Sequence, residues 1–515
     1  MKKGRLFSWP TASIALSGLG LLVLGCAFFT RLDLLRIAFE RDEGGFTYIG
    51  QQLWHGGLLY TQLPDNKPPL LYLIYAAFVG LIGHMPLHIH LGAAIFHLAA
   101  LAVFWNWLKI RHELPYAILS LALFSLYAIS WQLAGFAAHA TQLLTLPAVA
   151  GCFFLWQSEQ NSAISKTALA GLCFGLALCI KQQAFFLPLG GLIFIGTAIR
   201  EHRMKHTLAL ITAAALPFVG CLLWFAVQER FYDFWDNVFI HPAEQAIGFT
   251  EKIQLLTQHL AIVMQHWWLV WAVAFLGFGV ALKSGTETEK AIVWFFLLSL
   301  TGVFAAGPSY PHYFVLCLPW LAIGFTTGIK WITTFSKYAG VIVAVVALSL
   351  PVVLKPDYWF KDDESRIQRM VYGVNPFPEM ERIGAWLLQR KHNQEEKIAI
   401  LGSEPELYVY SRSSSPFRQI YHYRLLASTK GAQKRQDEYL NDWNLQQPHW
   451  VVLPNVSLDR FAPTAVFQTM MKDLKTNYTV VGIVDIYPDH TDYNFTPKST
   501  DVNKSPSWVL VFEKK

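Results

Sequence analysis

Twelve apolar segments follow one another through the first two thirds of the chain, at 11–30, 70–84, 87–108, 114–131, 142–157, 167–180, 183–199, 207–228, 260–282, 291–306, 312–329 and 338–354. Backbone N–H and C=O groups placed in hydrocarbon must be paired within the protein, which leaves such a chain little choice but helices. Most of the runs approach the about 20 residues a helix needs to cross a hydrocarbon layer of about 30 Å. With 54% hydrophobic and only 15% charged residues, the chain is also too apolar for an ordinary soluble protein of its size. The pattern predicts a polytopic α-helical membrane protein. Cys26, Cys152, Cys173, Cys179, Cys221 and Cys317 all lie in apolar segments, so they imply neither a disulfide framework nor a metal knuckle.

Charge decides which runs cross. The apolar stretch behind Met1-Lys2-Lys3-Gly4-Arg5 lacks a convincing small-x-small cleavage site before Arg31 and is long enough to span, so it reads as a retained first helix with its N-terminus in the cytoplasm. The segment 70–84 follows Pro68-Pro69, carries Gly80 and Gly83, and is short for a span. If it lies in the interface, the basic groups Lys109/Arg111, Lys166, Arg200/Arg203/Lys205, Lys283/Lys290 and Lys330/Lys337 all fall on the side of Lys2, Lys3 and Arg5. If it crosses, every one of them flips outside. The expectation is therefore about 11 transmembrane helices with juxtamembrane helices, with 31–69, 132–141, 229–259, 307–311 and everything after about 355 on the outer face. The same distribution explains the formal charge of +6 without a nucleic-acid partner.

From Pro356 onward the composition becomes that of a water-soluble domain. Pro378 to Arg390 has helical spacing, as does Glu438 to Leu445, while Lys397–Leu401, Trp450–Leu453, Tyr478–Asp485 and Trp508–Phe512 read as strands. The division expected is a transmembrane catalytic domain over 1–355 and an extracytoplasmic (periplasmic) soluble α/β domain over 356–515. Gly402-Ser403-Glu404-Pro405 lacks the spacing of a phosphate loop, so a nucleotide site there is not expected.

The strongest chemical signal is Arg41-Asp42-Glu43-Gly44-Gly45 at the mouth of the first span, followed by Asp65-Asn66-Lys67-Pro68-Pro69. Ionisable groups at a bilayer edge are costly and usually mark a site. The bland alternative is a solvated loop, with Lys67 snorkelling to headgroups. Lys181 ends an apolar helix with no acid nearby in sequence, which makes an anionic ligand attractive. His312 and Tyr313 can equally be interfacial aromatics.

These residues carry a resemblance. Arg41-Asp42-Glu43 with Tyr48, Gly57, Tyr60 and Lys67-Pro68-Pro69-Leu70, then Gly171 to Gly175 running on to Lys181-Gln182-Gln183, then Tyr310-Pro311-His312-Tyr313 with Leu318-Pro319, resemble motifs of the GT-C class of polyprenyl-phosphate-sugar glycosyltransferases. That class includes the dolichyl-phosphate-mannose protein mannosyltransferases and the aminoarabinose transferases that act on lipid A. The resemblance implies a multi-pass enzyme of the cytoplasmic (inner) membrane that moves a hexosyl or pentosyl group from a polyprenyl-phosphate sugar to a lipid, protein or glycan acceptor on the extracytoplasmic face.

In an inverting displacement one carboxylate takes the acceptor proton, and Asp42 matches the first acid of the motif; Glu43 would orient it or line the acceptor site. The departing phosphate gains charge, so cationic and hydrogen-bonding groups must stand beside it: Lys67, Lys181, His312 and Tyr313. Many relatives carry another acid in the loop here running Gly135 to Gln142. This chain has no acid between Glu113 and Glu159, and His139 or Gln142 stands nearest that position. No cofactor is expected beyond the lipid-linked donor, and no divalent metal, because hard cations need several oxygen ligands. The competing class is a non-catalytic transporter or binding protein for lipid-linked sugars, which predicts polar residues along a pathway and paired broken helices.

Overall fold

A computed structural model describes residues 11–360, 363–391, 393, 396–426, 429–456 and 458–515. Lys2, Lys3 and Arg5, the N-terminal basic residues with whose side the later basic groups are expected to fall, lie outside the described residues. Among the described residues, six helices are long and apolar enough to cross a membrane: Thr11–Arg36, Pro86–Arg111, Ala140–Asn161, Arg203–Val227, Glu287–Ala305 and Pro311–Phe335. Pro69–Leu81, Leu114–Ala128, Ile164–Ile180, Gln182–Ala198 and Lys337–Val353 are apolar but shorter.

One expected span takes a different form. The run 260–282 is not a continuous helix: Phe249–Met264 and Trp268–Ser284 meet at an angle of 104°, and only together do they qualify as a seventh crossing. The chain leaves the first helix at Gln265 (ψ 129°) and turns through His266, which takes the left-handed backbone conformation at φ 63°. Side chains from elsewhere hold the break. Tyr127 donates to the Val263 carbonyl at 2.5 Å and Gln132 to the Gln265 carbonyl at 3.0 Å. Trp267 stacks on the Tyr127 ring at 4.0 Å, and Trp271 Nε1 donates to the Tyr127 hydroxyl at 2.8 Å.

The chain forms two compact units. The first comprises residues 1–35, 93–224 and 247–361; the second comprises 36–92, 225–246 and 362–515. Compactness thus groups residues 36–92 and 225–246 with the C-terminal residues, whereas the sequence division ran along the chain at 355/356. In the first unit, helix contacts are close because glycines remove the side chain from them. A Cβ on Gly171 would meet the Leu210 carbonyl at 2.4 Å, and one on Gly175 the Ala214 carbonyl at 2.3 Å. Ile164–Ile180 therefore packs backbone to backbone against Arg203–Val227, as small residues allow between membrane helices.

The second unit contains a five-stranded sheet: β1 Ile398–Ile400, β2 Trp450–Pro454, β3 Tyr478–Ile486, β4 Thr491–Asn494 and β5 Ser507–Lys514. Their order is β1-β2-β5-β3-β4, with β1 and β2 parallel and the remaining pairs antiparallel. Four of these strands match the sequence expectation, while β4 is a short edge strand with no fully buried residue to mark it. Val451, Leu453 and Phe512 pack against Tyr439 and Trp443 of the helix Lys430–Gln446 and Met470 and Leu474 of Ala465–Asn477, which form the core of this unit. The helix expected over 378–390 is present as Phe377–Arg390.

Candidate active site

In the first unit, three stretches far apart in sequence meet. Ile164–Ile180 ends at Lys181, whose extended backbone (φ −154°) turns the chain out of the helix and into the short turn Gln182–Phe185. The Lys181 side chain is buried, only 4% exposed. Its ammonium donates to the Thr141 hydroxyl at 2.9 Å and sits 3.3 Å from the centre of the Tyr313 ring. A cation over an aromatic face keeps its charge in a poorly solvated place.

Tyr313 and His312 lie in the tight helix Pro311–Cys317, their rings edge to face at 4.7 Å. His312 in turn stacks on His139, the rings 3.9 Å apart and tilted by 6°. The structure therefore brings His139, Lys181, His312 and Tyr313 together. Gln142 points elsewhere, pairing through Nε2 with His97 Nδ1 at 2.7 Å. Thr141, which sequence reasoning passed over, is the residue of that loop that meets the lysine. The loop is tight at Gly135, where a Cβ would lie 2.0 Å from the Ala128 carbonyl, and Arg31 donates to the Gly135 carbonyl at 3.0 Å.

In the second unit, the acidic pair opens the helix Arg41–Trp54. Glu40 is its N-cap, accepting from the backbone N–H of Asp42 at 2.9 Å and of Glu43 at 3.2 Å. Burial pushes the Glu40 carboxyl well above its ordinary range, and the neighbouring charges of Asp42 and Glu43 push it further. Asp42 is half-buried, whereas Glu43 is fully buried and meets His90 Nε2 with both oxygens, at 3.1 and 3.2 Å. Arg41 points back to Glu404 at 3.0 Å and to the Ser403 carbonyl at 2.7 Å. The Gly44-Gly45 step permits this packing: a Cβ on Gly44 would meet Glu406 Cβ at 2.3 Å, and one on Gly45 would meet the Tyr421 hydroxyl at 1.6 Å.

Lys67 is half-buried in the loop before Pro69–Leu81. Its ammonium donates to Asn66 Oδ1 at 2.5 Å, its backbone N–H to the Tyr72 hydroxyl at 3.2 Å, and its carbonyl accepts from Tyr60 at 2.7 Å. Asp65 beside it is buried; desolvation raises its carboxyl, while Lys67 and Arg424 pull it back down. His90, Arg418 and Arg424 were not apparent as site residues from sequence. His90 carried a signal, an ionisable residue inside an apolar run. The two arginines sit in a polar stretch whose composition gave none.

Comparison with protein-family models and with curated proteins yields no match. Solved structures do match. The crystal structure of ArnT from Cupriavidus metallidurans bound to undecaprenyl phosphate aligns over 98% of this chain and 98% of its own at 13% identity, with a TM-score of 0.62. ArnT from the same organism in the apo state aligns over 88% and 94% at 14% identity, with a TM-score of 0.60. The archaeal oligosaccharyltransferase AglB from Archaeoglobus fulgidus, in complex with an inhibitory peptide and a dolichol-phosphate, aligns over 96% of this chain and 76% of its own at 10% identity, TM-score 0.55. At 10–14% identity these likenesses show a fold shared over most of the chain.

Proposed function

We propose that this protein is an integral membrane glycosyltransferase that transfers a hexosyl or pentosyl group from a polyprenyl-phosphate sugar to a lipid, protein or glycan acceptor on the extracytoplasmic face. The observation that carries the reading is the buried Lys181 ammonium, held between Tyr313 and Thr141, in a chain whose fold matches a structure bound to undecaprenyl phosphate over almost its full length. A desolvated cation at the end of an apolar helix suits the phosphate of a lipid arriving through the membrane. Asp42 serves as the general base toward the acceptor hydroxyl. Glu43, held by His90, lines the acceptor side, and Lys67, Lys181, His312 and Tyr313 stabilise the departing phosphate. His139 extends that group by its stacking on His312.

The proposed setting is the cytoplasmic membrane, with the N-terminus in the cytoplasm and residues after about 355 outside. Eleven crossings follow if the six long helices and the bent pair are joined by the short helices at 114–128, 164–180, 182–198 and 337–353, with Pro69–Leu81 in the interface. The C-terminal residues would shape the acceptor entrance, and no divalent metal takes part. Purified protein in nanodiscs, supplied with a polyprenyl-phosphate sugar, tests the reading. Asp42→Asn is expected to lose turnover while still binding the donor; a variant that turns over normally defeats the assignment, and a wild type that binds donor without turnover favours a carrier.

A further inference from the structure

The Lys67 backbone is tied to two tyrosines, Tyr60 and Tyr72. Tyr60, in the left-handed conformation at φ 66°, donates its hydroxyl to the Lys67 carbonyl at 2.7 Å, and its own carbonyl is the fixed point of the loop. Two groups from distant parts of the same unit converge on that carbonyl. Arg418 Nη2 donates to it at 3.2 Å, while its Nε donates to the Thr61 carbonyl at 2.6 Å. Asn237 Nδ2 reaches it at 3.5 Å, and Asn237 Oδ1 accepts from the fully buried Arg424 at 2.6 Å. The arginines are themselves anchored, Arg418 on Glu438 at 3.1 Å and Arg424 on Gln419 at 2.9 Å.

Backbone carbonyls of a non-glycine residue at positive φ are held by their surroundings rather than by intrinsic preference. Guanidinium groups suit the task because they present several donors in one rigid plane. We infer that Arg418 and Arg424 are positioning residues for donor binding: they clamp the Tyr60–Thr61 turn and so fix where Lys67 stands. This rests on the reading of Lys67 as a phosphate contact, and it assigns the C-terminal residues a part in donor binding besides acceptor choice. Burial of Arg424 fits this, since an arginine desolvated to that extent is retained at a cost that good hydrogen bonds must offset.

The test compares wild type with Arg418→Gln, Arg424→Gln and Lys67→Ala as full-length protein in nanodiscs, reading amide hydrogen exchange over 58–68 and affinity for undecaprenyl phosphate. Both arginine variants are expected to exchange faster in that loop and to bind the lipid about tenfold more weakly, the equivalent of one or two lost hydrogen bonds. Lys67→Ala should weaken binding without raising exchange. Exchange unchanged in Arg418→Gln, whose partly exposed side chain makes it the variant that folds most readily, overturns the clamp. Faster exchange with unchanged affinity, while Lys67→Ala loses affinity, overturns its role in donor binding. Normal affinity in Lys67→Ala overturns the phosphate role of Lys67 itself.

Discussion

The Lys181 ammonium stands 3.3 Å from the centre of the Tyr313 ring and donates to the Thr141 hydroxyl at 2.9 Å, so this buried cation rests against an aromatic face. Lys181→Met keeps the stem and removes the charge. Its affinity for undecaprenyl phosphate should fall by about tenfold or more, the loss of one charge-assisted contact. Tyr313→Phe keeps the ring and should bind almost as wild type, whereas Tyr313→Leu should not. Equal binding by all three variants would remove Lys181 and Tyr313 from the phosphate site.

Metal dependence separates two chemistries. The proposed mechanism runs on a carboxylate and cations, so activity should survive exhaustive chelation. His139 and His312, stacked at 3.9 Å, are nevertheless the ligand type that transition metals take. Activity lost on chelation and restored by Zn²⁺, Mn²⁺ or Mg²⁺ would replace the metal-free reading.

Two buried histidines in the second unit set an acid limit on stability. Burial holds His241 down to about 2, helped by the nearby Arg424 and Arg435, and burial holds His422 down to about 3. Both are neutral when folded and protonate near 6.5 when unfolded, so the unfolded chain binds the extra protons as pH falls. Their contribution is fully present above about pH 6.5 and is lost below it, at about 1.4 kcal/mol per histidine by pH 5.5. The Tm of wild type should therefore drop between pH 7.5 and 5.5 by more than that of His241→Leu. Parallel curves would show that His241 is not the responsible group.

At the bend between Phe249–Met264 and Trp268–Ser284 one hydroxyl, that of Tyr127, serves two groups. Tyr127→Phe leaves the stack on Trp267 but removes the partner of both the Val263 carbonyl and Trp271 Nε1. Two buried groups left without partners should cost about 1–3 kcal/mol each, read as a lower Tm in nanodiscs. An unchanged Tm would mean that the Tyr127 hydroxyl is not needed and that the bend is held by the remaining contacts, Gln132 on the Gln265 carbonyl and the Trp267 stack among them.

What sequence could reveal follows the range of the interaction. The helix Phe377–Arg390 and the strands Trp450–Pro454 and Tyr478–Ile486 were legible because their periodicity is local. The break at 265–267 was not, because side chains at 127 and 132 hold it, more than 130 residues away. The same holds for the candidate site. Lys181, His312 and Tyr313 stood out as polar residues at the ends of apolar runs; for the loop His139 or Gln142 was read, of which His139 joins the group, while Thr141 makes the contact with the lysine. The role of Arg418 and Arg424 lies in two backbone carbonyls and an asparagine that only the tertiary fold brings within reach.

The second unit is assembled from three stretches of chain, residues 36–92, 225–246 and 362–515. Synthesis imposes an order on it. Once residue 92 has emerged, about 270 more must be made before the last stretch begins, which at typical rates of about 5–20 residues per second is roughly 15 to 55 seconds. Throughout that interval Gly44 and Gly45 lack the neighbours at 406 and 421 that later lie against them. A ribosome that stalls or a reading frame that ends before residue 362 would thus leave the membrane helices made but the helix that carries Asp42 without the neighbours that pack on it, so the surroundings of the proposed base are completed only at the end of translation.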